Sequence, residues 1–224
     1  MTTTPTIDGT ATGGEWDDAS STTISAYCSL PISTKQVFFY AKNNATFLFL
    51  RLQWQDTTHC EWFDILEIHF DETNSGNWHV EYNNAVSIYA NSTNGWGEDR
   101  YIHYESELWW VNLDIASLDG AYAITYNDIN QVYTAELAIP LGSTDPDDMA
   151  ATAGSLIGIH FSINDGGTGL GGIYEYPNGT DTVSFQLATA SSGIGITIWP
   201  LFFLALSCLV VLDIVRKHHS NLVK

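Results

Sequence analysis

Residues 61–72 read EWFDILEIHFDE, and Leu66, Ile68 and Phe70 alternate along them with Glu67, His69 and Asp71. Period-two alternation marks an extended strand with one face in a core and the other toward water. Asn74, Ser75 and Gly76 follow with turn chemistry and end the strand, and Trp62 stands just ahead of it beside a loop. The same logic extends outward. Residues 36–41 and 46–54 predict two strands joined by a tight turn at Asn43 and Asn44, with Leu48, Leu50, Leu52 and Trp54 on the core face.

Further strands are expected at 78–82, 85–90, 101–103, 108–113, 122–126, 131–139, 156–163, 173–176 and 183–187, and one short helical turn at 145–153. Short strands at this spacing, with no helical pattern of useful length, predict an all-β fold, an antiparallel β-sandwich of jelly-roll type, over residues 1–187. A parallel sheet would need crossover helices that the sequence lacks.

The chain carries 26 acidic and seven basic residues, a formal charge of −19. All but one of the acidic residues precede position 194, against Lys35, Lys42, Arg51 and Arg100 alone. Nucleic acid is excluded as a natural partner, because phosphate contacts need Lys and Arg. Eight Trp, 11 Tyr and 10 Phe exclude a disordered chain.

Residues 188–193 form a small-residue stalk, and 194–212 carry no charge. At ~1.5 Å per residue that run suffices for a helix across a hydrocarbon core of ~30 Å. A single transmembrane helix is expected over 194–215, with Trp199 at the outer interface. Arg216 and Lys217 then place residues 216–224 in the cytoplasm and the acidic domain outside, at the cell membrane. Residues 1–6 are polar and contain no secretory signal, so the export signal lies upstream, has been removed, or is replaced by the apolar tail directing insertion. Sequons at Asn44, Asn91 and Asn178 suit that exposed location as glycosylation sites. Cys28 and Cys60 are either a disulfide suited to an oxidising exterior or two free thiols.

Five stretches occur in order: IDG…EWDDA (7–19), FLFLRLQWQD (47–56), WFDILEIHFDET (62–73), YTAELAIPL (133–141) and GIHFSINDG (158–166). Together they resemble family 9 carbohydrate-binding modules and their DOMON-like relatives, over most of residues 7–188. The resemblance implies a β-sandwich with a sugar slot. One wall would be Trp62, which stands one position closer to Asp64 than the family pattern has it. The opposite wall would be Tyr174 or Tyr176, where the family has Trp, and a hydrogen-bonding residue would map to His79.

The chemistry of such a slot stands on its own. A pyranose has apolar C–H faces, which flat aromatic rings cover, and polar edges, which charged and amide groups satisfy. Trp62, Trp78, Trp96, Tyr174 and Tyr176 are candidate walls, with Glu61, His79 and Asn164 as edge partners. Core packing is the competing reading for Trp78.

Asp8, Asp17, Asp18, Asp71 and Asp165 could offer oxygens to a structural calcium, although no D-x-D-x-D-G loop occurs. The resemblance to haem-bearing relatives sets His59, His69, His79, His103 and His160 against an iron role, but no methionine–histidine pair stands out. No G-x-S-x-G, P-loop or HExxH motif is present, so the expected function is non-catalytic binding. The alternatives are a structural or adhesion ectodomain that contacts another surface protein and a haem-binding redox domain.

Overall fold

The computed structural model describes residues 3–29, 32–61, 63–79, 84–90, 95–105, 108–113, 120–143, 149–166, 172–179, 181–189 and 197–198. For 96, 99, 101–105, 108–113 and 197–198 it describes the backbone alone. The strands are β1 (Ser20–Ser29), β2 (Ile32–Asn43), β3 (Phe47–Gln55), β4 (Ile65–Asp71), β5 (Asn84–Tyr89), β6 (Trp96–Glu105) and β7 (Leu108–Leu113). They continue with β8 (Ala121–Asn127), β9 (Val132–Pro140), β10 (Leu156–Asp165), β11 (Gly172–Tyr176), β12 (Val183–Gln186) and β13 (Thr197–Ile198).

The pairing runs β7-β6-β5-β4-β10-β11-β1-β2-β3-β9-β8, and every pair is antiparallel. One layer is β7-β6-β5-β4-β10 and the other β1-β2-β3-β9-β8. β11 joins them, opposite β10 along its whole length but meeting β1 only at Tyr27–Glu175. β12 occupies the remaining edge of β10, so the sheet divides there. At the far side Gly95 and Gly97 let β8 approach closely. A Cβ on Gly97 would stand 2.5 Å from Tyr122, so only glycine fits.

The alternation in 61–72 places the core as expected. Leu66, Ile68 and Phe70 are fully buried, and Leu48, Leu50, Leu52 and Trp54 meet them from the facing layer. At ~25 cal/mol per Å2, this apolar burial is the main term holding the layers together.

Several sequence expectations are corrected. Residues 78–79 form a loop rather than a strand, because Trp78 turns back over β4 and β10 instead of pairing. Consequently the outer face of β4 is not near water at His69 and Asp71, which are 3% and 0% exposed. Residues 149–153 are not helical. The carbonyls of Met149 and Ala151 accept from the Ser143 and Gly142 amides, an extended pairing. β1 was not expected, since its inward residues beyond Ile24 are only Ala26 and Cys28.

Of residues 194–215 only 197–198 are described, paired with β12, so the expected spanning segment lies outside the described residues. Among those residues no helix is long and apolar enough to cross a membrane.

The N-terminal segment closes half of an outer face. Trp16 packs on Phe49 and Ala138, with Ile7 and Phe47 beside them. Glu136 is the clamp. Its carboxylate accepts the Trp16 indole N–H at 2.9 Å and the amides of Gly9 and Asp8 at 3.1 and 3.3 Å. Burial pushes its pKa up while these donors pull it down. Glu136→Ala leaves buried donors without an acceptor, and a loss of about 3 kcal/mol is expected. Glu136→Gln keeps one oxygen and should lose about 1 kcal/mol. Urea unfolding of both variants reads the difference, and equal midpoints would refute the clamp.

Candidate aromatic rim

The loop 56–64 connects β3 to β4 at one end of the sandwich, and buried carboxylates fix it at both sides. Asp56 accepts the Thr58 amide and hydroxyl, each at 3.0 Å, and its backbone receives the Tyr126 hydroxyl at 2.9 Å. Lys35 Nζ stands 2.5 Å from Asp56 and 3.3 Å from Asp165, ringed by low-exposure side chains. Thr58 Oγ1 also donates to Asp165, at 3.3 Å.

Asp64 holds the other half. It accepts the Cys60 amide at 2.7 Å, the Gly166 amide at 2.9 Å and the Tyr133 hydroxyl. Burial and that carboxylate push the Tyr133 phenol far up, so it stays protonated and donates. His59 Nδ1, 2.7 Å from the same hydroxyl, is then assigned as the donor to it. The His59 ring stacks nearly parallel on Tyr126 at 4.9 Å. The loop is therefore tied down at Asp56 and at Asp64.

Glu61 is exposed and Trp62 lies outside the described residues. Phe63 is 63% exposed, an aromatic ring left in water at the tip of the loop. It was not anticipated. Its signal was its place beside Trp62, immediately before the buried Asp64.

Tyr174 is half-buried, opposite Ile163 on the core-facing side of β11. Its hydroxyl accepts from Ser33 Oγ at 3.2 Å, and Lys35 Nζ lies 4.8 Å from its ring centre. Asn164 stands opposite Ile65 and Ile173, on the other face of the sheet from Tyr174. The two do not converge. Tyr176 lies further from the rim, opposite Phe161 with rings 5.8 Å apart, and burial raises its phenol pKa. Trp96 enters β6 opposite Tyr89, but its side chain lies outside the described residues.

His79 belongs to a different cluster. Trp78 stacks on His69 at 4.1 Å and on His160 at 5.4 Å, with His79 against its edge at 3.8 Å. His69 and His160 stand directly opposite in β4 and β10. This group covers the far part of β4, ~13 Å along the strand from Ile65 at ~3.3 Å per residue. His79 therefore stands with Trp78 and the two strand histidines.

The calcium candidates are likewise dispersed. Asp8 accepts the Thr10 amide at 2.7 Å, Asp17 is exposed, and Asp165 is engaged by Lys35. Asp18 pairs with Lys42 at 2.8 Å. Asp71 holds its own turn through Gly76 at 2.8 Å and Thr73 at 3.1 Å. Among the described residues no three His, Cys, Asp or Glu side chains are arranged for a metal. Met149 is in the core. The Cys28–Cys60 disulfide is not formed: both thiols are free, Cys28 buried on β1 and Cys60 half-buried in the rim loop. Asn178 is exposed, Asn44 accepts the Thr46 and Phe47 amides at 2.8 Å in the β2–β3 turn, and Asn91 lies outside the described residues.

No family model and no curated protein matches the chain. Two solved structures of a family 9 carbohydrate-binding module from Caldicellulosiruptor kristjanssonii do. One is in complex with glucose, at TM-score 0.59 and 14% identity, covering 84% of this chain and 93% of that one. The other is in complex with cellotriose, at TM-score 0.59 and 13% identity, covering 88% and 95%. The chain has the family 9 fold. Such distant identity transfers architecture, and the roles of individual side chains rest on the geometry above.

Proposed function

We propose that this protein is a non-catalytic glycan-binding module that seats a neutral sugar on the aromatic rim carrying Trp62 and Phe63. Its support is one observation together with the fold: Phe63 stands 63% exposed on a loop whose backbone is locked by the buried Asp64. A hydrophobic ring held rigidly in water loses little conformational freedom when a sugar face covers it. The similar modules were solved with glucose and with cellotriose, which makes β-linked glucose units the first ligands to try.

The uncharged run 194–212 followed by Arg216 and Lys217 supports a membrane-anchored module whose domain faces outward. Calorimetric titration of the full chain in detergent with cellotriose should give saturable binding. Trp62→Ala and Phe63→Ala should each weaken it tenfold or more, about 1.4 kcal/mol, at unchanged melting temperature. Tyr174→Ala should weaken it less, since that ring is half-buried. A folded protein that ignores cellotriose, or binds it equally after both rim substitutions, would remove this reading.

A further inference from the structure

The N-terminal segment covers only part of the outer face of β1-β2-β3-β9-β8. Beyond it lies a row that the strand register aligns as Thr23, Phe38, Gln53, Thr134 and Thr125. The next row presents Ser25 opposite Gln36, and Gln55 opposite Val132 and Asn127. None of these ten side chains carries a formal charge, on a chain whose net charge is −19.

Two hollows lie along these rows. One of ≈ 660 Å3 is lined by Gln36, Phe38, Gln53 and Gln55, and by Lys35, whose charge is balanced by its ion pairs with Asp56 and Asp165; the other, ≈ 250 Å3, is lined by Thr125, Asn127, Asn130 and Thr134. They share Gln53 and Val132 and so form one groove running across the strands. With strands ~4.8 Å apart, five of them span ~19 Å.

The groove has a floor of fixed amides and one aromatic plate. Gln36 Nε2 donates to Ser25 Oγ at 2.7 Å and Gln53 Nε2 to Thr134 Oγ1 at 3.0 Å. Each bond orients an amide whose carbonyl oxygen remains for an incoming hydroxyl. Phe38, 50% exposed, offers a ring face among them.

We infer that this neutral groove is a second binding surface, for an uncharged polysaccharide chain lying across the strands. The inference rests on the glycan-binding reading but uses a different face. Charge selects the occupant: a polyanionic glycan would be repelled by the acidic domain, and a cationic partner would find no carboxylate in these rows. Amides and hydroxyls exchange hydrogen bonds with sugar hydroxyls in either sense, and an occupant spanning five strands must be a chain rather than a single ring.

The test is hydrogen exchange of the full chain in detergent, with and without mixed-linkage β-glucan, beside the double variant Gln36→Glu/Gln55→Glu. Both glutamines are exposed, so the substitutions should leave the fold intact. Protection by β-glucan is expected in 23–38, 53–55 and 125–134. The variant should bind β-glucan at least tenfold more weakly while cellotriose titration at the rim is unchanged. Protection confined to 56–64, or β-glucan affinity unaltered in the variant, would overturn the second surface and leave the rim reading standing. Protection at neither face, with no cellotriose binding, would overturn both.

Discussion

Lys35→Met should destabilise the fold by about 3–5 kcal/mol. The ammonium lies 2.5 Å from Asp56 and 3.3 Å from Asp165, and these carboxylates are 5% and 8% exposed. Removing the cation takes the Lys35 ammonium from two neighbouring buried carboxylates, which costs far more than losing a surface ion pair. The loss should register locally as well, because Asp56 closes the rim loop from β3 and Asp165 ends β10. Urea denaturation measures the stability change. Adding Asp165→Asn to Lys35→Met should recover part of it. If the double variant is no more stable than Lys35→Met alone, the ion cluster is not the cause.

Acid should loosen the opposite part of the sandwich. Burial, with His160 and His79 nearby, pushes His69 down to about 3, and burial pushes His160 down to about 4. An unfolded histidine titrates near 6.5. Below that pH the unfolded chain takes up protons that the native cluster refuses. The stability contributed by neutral burial is therefore complete above ~6.5 and is lost as pH falls toward the folded values.

Each histidine costs up to ~1.4 kcal/mol per pH unit in that window, so the pair approaches ~3 kcal/mol per unit, against total stabilities of ~5–15 kcal/mol. His79, also lowered by burial, adds in the same direction. Glu136 opposes it, because its raised pKa favours the folded state as pH falls. Around the cluster, the Asp181 carbonyl meets His160 Nδ1 at 3.3 Å, and Asp71 ends β4 beside it. Unfolding free energy measured at pH 7 and pH 5 should drop by several kcal/mol. His69→Phe/His160→Phe should flatten the slope, and a slope unchanged in that variant would exclude the cluster as its source.

The strands that were legible in sequence were those with large inward residues. Leu66, Ile68 and Phe70 announce β4, and the leucines of β3 announce their own face. β1 escaped because Ala26 and Cys28 give too weak an apolar rhythm. The faces were less legible than the strands. Phe49, Arg51 and Glu136 alternate as an outward row, yet all are buried, since residues from far along the chain lie on them. His69 was hidden the same way by Trp78.

The candidate site suffered from this limit most. Periodicity assigns a face but says nothing of which end of a strand a loop reaches, so His79 was grouped with the loop ahead of β4 although it lies against Trp78, which stacks on His69 near the strand's other end. Tyr174 and Asn164 were grouped although ten-residue strand geometry sends them to opposite faces. The aromatic character of the loop ahead of β4 was readable from Trp62, but the exposure of Phe63 was not, because it depends on the neighbouring Asp64 being buried.

The way the domain ends bears on how it would carry load. Asn43 exchanges two hydrogen bonds with Ala188, at 2.8 and 3.0 Å, beside the β2–β3 turn. The rim loop leaves β3 at its other extremity, nine residues or ~30 Å away. In the proposed anchored module, tension between a glycan at the rim and the segment after Ala188 would act parallel to the strands. Such shear would strain many ladder bonds together instead of unzipping them in turn, so a module anchored in this way would resist pulling.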